Sequence, residues 1–260
     1  MTANTALEPL TAGLAGERKT PEIPAPQPCS VQEADTVPLG LGRRVRRAYG
    51  YDDVALVPAA ATVDPEDVDT TWEVGGHRLR LPILAAAMDS VTDVRTAVLM
   101  WELGGAGVLN LEGLQTRYED PSEALERIAS APPERSVAVL QEVYRVPVRE
   151  ELVARRIQEI KRAGALAFGS TTPASASWLA PVAEEAGLDV LVLQSTVITE
   201  RHRSSRGRAL SVRELVRELR IPVMAGNCVT YQAAMELLEA GVVGLLVGVG
   251  PGAACTSRKV

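Results

Sequence analysis

The sequence predicts an α/β fold of the (β/α)8 TIM-barrel type, incomplete, with about six of the eight βα units present. Three observations carry that reading. Short apolar runs of strand length alternate with amphipathic stretches of helix length. Glycine closes several of those stretches, at Gly104, Gly164, Gly187 and Gly241, where a helix C-cap favours a residue free to be left-handed. The glycine-dense loop Gly248-Val249-Gly250-Pro251-Gly252 follows the last apolar run rather than the first. An open doubly wound sheet gives the same alternation, but a dinucleotide fingerprint would sit in its first βα turn. Barrels bind phosphate on late βα loops.

Taken in order, residues 1–42 carry Pro9, Pro21, Pro24, Pro26, Pro28 and Pro38 and no apolar periodicity, so a disordered arm is expected there. At its end Arg43, Arg44, Arg46 and Arg47 read as a solvated segment, with contact to a phosphate or a neighbouring subunit as the alternative. The barrel domain is expected over residues 43–260. Its β-like runs are Leu81–Met88, Ala106–Leu109, Val137–Leu140, Ala165–Phe168, Val190–Leu193, Pro222–Ala225 and Gly244–Val249. Near-continuous apolar runs of this kind suit strands covered on both faces. Helices are expected over Thr92–Leu103, Val148–Ala163, Ala174–Ala186, Ser211–Leu219 and Thr230–Ala240.

Composition narrows the function classes. With 46% hydrophobic and 23% charged residues the chain has material for a sizeable core. A net charge of −6 offers no global positive field, so neither nucleic acid nor an anionic membrane surface is expected as a partner. No apolar run reaches the ~20 residues of a membrane span. Cys29, Cys228 and Cys255 are far apart and odd in number, which argues against a disulfide framework or a zinc module and makes a reducing cytoplasm the expected location. His77 and His202 have no Ser, Cys or carboxylate at a recognisable spacing and read as surface polar residues. Arg201, Arg203, Arg206 and Arg208 read as a solvated loop, or as a contact to cofactor phosphates.

Chemistry concentrates at the end of the chain. Glycines in Gly248–Gly252 permit positive φ and close backbone approach to a ligand. Cys255 lies just beyond, past a strand's C-terminal end, where barrels keep their reactive groups. Backbone N–H groups and Arg258 could favour a thiolate nucleophile. The competing reading is a small residue packing a tight turn, since free cysteine is often buried.

The run GVGPGAACTSR, Gly248–Arg258, resembles the catalytic cysteine loop of the IMP dehydrogenase/GMP reductase family. Four further segments are similar to that family in the same order: YDDVALVP at 51–58, LPILAAAMDSVT at 81–92, GGAGVLN at 104–110 and AGNCVT at 225–230. Between Asn110 and Ala165 there is no room for the paired regulatory CBS modules of the longer dehydrogenases. That stretch, with Leu109–Asp120 and Leu140–Tyr144, resembles a bacterial IMP-dehydrogenase-related subfamily without them; GMP reductases lack them too. By this resemblance Val137–Leu140 belongs to the link between the second and third barrel strands.

The resemblance implies a purine nucleotide oxidoreductase of guanine nucleotide biosynthesis. In its dehydrogenase form it converts IMP, NAD and water to XMP and NADH through a thioimidate on Cys255. In the GMP reductase form it converts GMP and NADPH to IMP and ammonia. It further implies nucleotide contacts from Met88, Asn227 and Ser257, and cofactor contacts from Gln194, Ser195, Thr196, Gly248, Val249 and Gly250. The backbone carbonyls of Gly250, Gly252 and Cys255 would hold a potassium ion, and the chain would form a homo-oligomer, a tetramer by family. Several positions depart from the family pattern. Gln194 stands in place of a strand-ending aspartate, Ala86 and Ala253 in place of serines, and Leu246 in place of an arginine. The family's ribose-binding aspartate, much of its phosphate cradle and its mobile flap follow the cysteine loop. The chain is therefore expected to be truncated at its C-terminus, with weak turnover on its own. A non-catalytic paralogue acting by subunit association is the alternative from another class.

Overall fold

The computed structural model describes residues 36–47, 49–50, 53–57, 63–200 and 210–250. Contacts divide the chain into two units, Met1–Leu56 and Val57–Val260. In the first, strands β1 (Thr36–Pro38) and β2 (Arg44–Arg46) pair antiparallel. The Arg44 guanidinium crosses the pair to the Thr36 hydroxyl and carbonyl at 2.7 and 3.0 Å. Residues 36–42, expected in a structureless arm, thus begin a hairpin instead. Gly40 and Gly42 carry its turn at φ +78° and +72°, so Pro38 sits at a strand end rather than breaking a run. Residues 1–35 of the arm lie outside the described residues.

The second unit opens with a hairpin, β3 (Trp72–Val74) and β4 (His77–Leu79), turned on Gly75-Gly76. Both glycines have positive φ, +57° and +83°, as a two-residue hairpin turn that follows the strand twist requires. Next come six parallel strands: β5 (Leu84–Ala85), β6 (Ala106–Asn110), β7 (Phe168–Thr171), β8 (Val190–Gln194), β9 (Val223–Cys228) and β10 (Gly244–Val247). They lie side by side in chain order, β10-β9-β8-β7-β6-β5. A doubly wound sheet reverses its strand order at a switch point, whereas a barrel steps in one direction. The sheet here steps in one direction, as a curled part of a barrel.

Helices α1 (Val94–Leu103), α4 (Glu150–Arg162), α5 (Ala176–Glu185), α6 (Val212–Glu218) and α7 (Tyr231–Ala240) connect successive strands. Three start on side-chain caps. Asp93, Ser211 and Thr230 accept from the N–H groups of Thr96, Glu214 and Ala233 at 2.7, 3.3 and 3.2 Å. Gly104 and Gly241 end α1 and α7 in the left-handed conformation. Two short helices, α2 (Ser122–Ala129) and α3 (Ser136–Val143), form an insert between β6 and α4. The β-like run Val137–Leu140 is therefore helical. Val137 and Leu140 stay exposed on α3, while Val143 anchors the insert's own small core with Leu114 and Ala124.

Side chains alternate across the sheet and build two cores. The outer one holds Leu109, Leu191, Leu193, Val223 and Ala225 against apolar faces of α4 and α5, including Ile157, Ile160 and Leu179. The inner one holds Ala106, Val108, Phe168, Val190, Val192 and Met224, joined by Val74 and Leu79 of the β3–β4 hairpin. Pro222 and Gly104, at the N-terminal ends of β9 and β6, lie against Gly75 and Arg80, so the hairpin closes that end of the barrel interior. Fully burying a side chain of valine or leucine size contributes about 1.5–3 kcal/mol, so these two layers supply most of the stabilisation.

Candidate functional site

Along the inner face the side chains turn from apolar to polar toward the strands' C-terminal ends. Val108 gives way to Asn110, Phe168 to Ser170, and Val192 to Gln194. Ser170 is buried, and its hydroxyl donates to Gln194 Oε1 at 3.3 Å. A polar ring above a dry core, at the end with the longest βα loops, makes this mouth the candidate active site.

Asn227, near the end of β9, joins two of its loops. Its side-chain amide donates to the Gly248 carbonyl at 2.7 Å, while its backbone N–H reaches Ser195 O at 3.0 Å and its carbonyl accepts from Ile198 N at 2.9 Å. Gly248 in turn donates to Cys228 O at 2.9 Å. The start of the glycine-rich loop is therefore held at the ends of β9 and β10. Gly248 and Gly250 have φ of +108° and +66°, which explains the glycines. Gln194, Ser195 and Thr196 end β8 in the same mouth, with Thr196 exposed. Met88, half exposed, lies in the loop after β5, and its carbonyl accepts from Val91 N and Thr92 N at 2.9 Å each. Gly252, Cys255 and Ser257 lie outside the described residues.

Two carboxylates that sequence reasoning missed hold this rim together. Glu112, just after β6, accepts from Thr172 N (2.5 Å), Thr171 Oγ1 (3.1 Å), Thr172 Oγ1 (3.2 Å) and Ser175 Oγ (2.6 Å), tying the β6 loop to the β7 loop. Asp89, beside Met88, accepts from Leu114 N at 2.9 Å and from the Tyr144 hydroxyl. A Cβ at Gly113 would collide with that Asp89 carboxylate, so glycine is required there. The only sequence signal was their position just past a strand's C-terminal end.

Other candidates fall away from the mouth. Cys228 points into the sheet–helix core, where burial pushes its thiol above the ordinary range, so it is a poor nucleophile. His77 sits on the hairpin at the opposite end, and His202 and the Arg201–Arg208 cluster lie outside the described residues. Leu246, where the family pattern has arginine, packs against the inner core. Among the described residues no group of His, Cys, Asp and Glu could hold a metal ion, and no helix is long and apolar enough to cross a membrane.

A model of the IMP dehydrogenase / GMP reductase domain matches residues 48–260. The chain belongs to this family. Among its relatives, an uncharacterized oxidoreductase of Mycobacterium tuberculosis is 34% identical over 219 residues, covering 82% of this chain and 58% of the relative. An inosine-5'-monophosphate dehydrogenase of Cryptosporidium parvum is 27% identical over 226 residues, covering 84% and 55%. The crystal structure of an IMP dehydrogenase/GMP reductase-like protein from Corynebacterium glutamicum superposes with a TM-score of 0.77 at 32% identity, covering 84% of this chain and 58% of that one. The chain thus spans a little over half the length of the curated relatives it matches. The family's barrel accounts for the one-directional strand order and for the mouth at the strands' C-terminal ends.

Proposed function

We propose that the protein is a purine nucleotide oxidoreductase of the IMP dehydrogenase type, working at the mouth of the six-stranded sheet. The observation that carries this reading is the family match running through the glycine-rich loop, whose first residues are anchored at that mouth by Asn227. Cys255 is the proposed nucleophile. Its thiolate adds to C2 of IMP, and loss of hydride from C2 leaves a thioimidate. Water then adds to C2, the thiol departs, and XMP is released. The nicotinamide cofactor, NAD in this direction, supplies the hydride acceptor when bound.

The residues at the mouth fit that chemistry. Met88 and Asn227, with Ser257, would line the nucleotide; Asn227 would also keep the cysteine loop in register with β9. Gln194, Ser195 and Thr196 offer neutral amide and hydroxyl groups suited to ribose hydroxyls, as does the backbone of Gly248, Val249 and Gly250. A neutral amide binds a hydroxyl less strongly than the carboxylate it replaces. For a monovalent cation the donors would be the carbonyls of Gly250, Gly252 and Cys255, a set suited to a weakly hydrated ion such as potassium. Gly250, the described member, holds the positive φ such a loop needs.

A second reading, GMP reduction with NADPH, is equally compatible with the short link between β6 and α4, which GMP reductases and the IMP-dehydrogenase-related subfamily share. Residues 122–143 hold a two-helix insert with its own small core, in the place where the longer dehydrogenases carry a module pair. The test is a steady-state assay of the protein with each pair of substrates. NADH formation that depends on IMP and is lost in Cys255→Ala is expected. NADPH oxidation dependent on GMP would select the reductase, and no purine-dependent turnover of either kind would refute both.

A further inference from the structure

The insert reaches the mouth through the Tyr144 side chain. Tyr144, the residue that caps α3, donates its hydroxyl to Asp89 Oδ2, across 55 residues of sequence. Asp89 directly follows Met88, and its other carboxylate oxygen takes Leu114 N–H. The phenol is itself held in place. Arg117 lies 5.6 Å from the ring centroid, donates to the Tyr144 carbonyl at 3.0 Å and to the Val146 carbonyl, and reaches back to Glu112 O at 3.0 and 3.1 Å. Burial and the neighbouring Asp89 carboxylate push the Tyr144 phenol well above its ordinary range, so it stays a donor at neutral pH. The Tyr118 hydroxyl, by contrast, turns to the insert, donating to Val143 O at 2.9 Å.

We propose that Tyr144 is a positioning residue: through Asp89 it fixes the Met88 loop, and the α2–α3 insert thereby sets the affinity of the mouth for its nucleotide. This rests on the proposed function for the identity of the ligand. It does not rest on it for the tether. Without the hydroxyl, Asp89 keeps one backbone contact, and the turn made by Val91 and Thr92 N–H on Met88 O loses its outer support. A lost charge-assisted hydrogen bond of about 1.5 kcal/mol corresponds to roughly tenfold in binding.

The experiment compares Tyr144→Phe with Tyr118→Phe, each keeping its ring, by amide hydrogen exchange and by titration with IMP and GMP. Tyr144→Phe is expected to speed exchange at Val91 and Thr92 and to weaken nucleotide binding by about tenfold. Tyr118→Phe should do neither at equal thermal stability. Asp89→Asn, which keeps the shape, is expected to follow Tyr144→Phe and replaces it should that variant not fold. Unchanged exchange at Val91 and Thr92 would overturn the proposal, as would equal losses in both tyrosine variants. Failure of the unaltered protein to bind either nucleotide would refute the functional reading instead, and the exchange comparison would still decide the tether.

Discussion

Replacing Glu112 by alanine removes an acceptor that serves four donors at the junction of the β6 and β7 loops. The donors are not equal. Thr172 is exposed, so its N–H and hydroxyl turn to water at little cost. Thr171 is 2% exposed and Ser175 is half-buried, and their hydroxyls lose the carboxylate inside the fold. At about 1–1.5 kcal/mol for each of these two, Glu112→Ala should cost about 2–3 kcal/mol. For a unit of this size that is a fall in Tm of roughly 4–12 °C. Glu112→Gln keeps one acceptor oxygen and should lose about half as much. Calorimetric unfolding of the three proteins measures both numbers. A loss under about 0.5 kcal/mol for alanine, or an equal loss for glutamine, would refute the idea that the carboxylate clamps the rim.

Gly107→Val should destabilise by about 3 kcal/mol in urea titration, because a Cβ there meets the Ala97 backbone of α1 at 2.6 Å. Cys228 should resist a thiol reagent in the native protein and react fully in denaturant, as a buried thiol with a raised pKa must. At alkaline pH the sign follows from Tyr144. Its folded pKa lies above the unfolded value of about 10, so its contribution is complete below that pH and is lost as the pH rises beyond it. Tyr144→Phe should therefore flatten the alkaline fall in stability, measured as Tm against pH.

The barrel strands and their helices were legible because each carried two independent signals, an apolar run and a glycine or capping residue at its boundary. Thr230 before α7 and Gly241 after it are one such pair. Strand boundaries were less so. The run Leu81–Met88 contains only two strand residues, since β5 is an end strand and its last apolar side chains turn into the loop that carries Met88. The resemblance places Val137–Leu140 in the link between the second and third strands, where it lies, but its apolar run reads as β-like because it has no periodicity long enough to separate strand from helix. The β3–β4 hairpin was missed although its glycine pair flanked by alternating residues is a hairpin signal. At the mouth, Asn227 and the glycine loop were legible from motif, whereas Glu112 and Asp89 were not. Their roles come from partners 59 to 63 and 25 to 55 residues away, which no local pattern encodes.

The most direct test of the proposed chemistry is to mix the protein with IMP and NAD, quench in acid and map the nucleotide adduct by peptide mass spectrometry. The expected result is an adduct on the peptide bearing Cys255 that is absent in Cys255→Ala and retained in Cys228→Ala. An adduct on Cys29 or Cys228, or turnover with no adduct and no loss in Cys255→Ala, would contradict it.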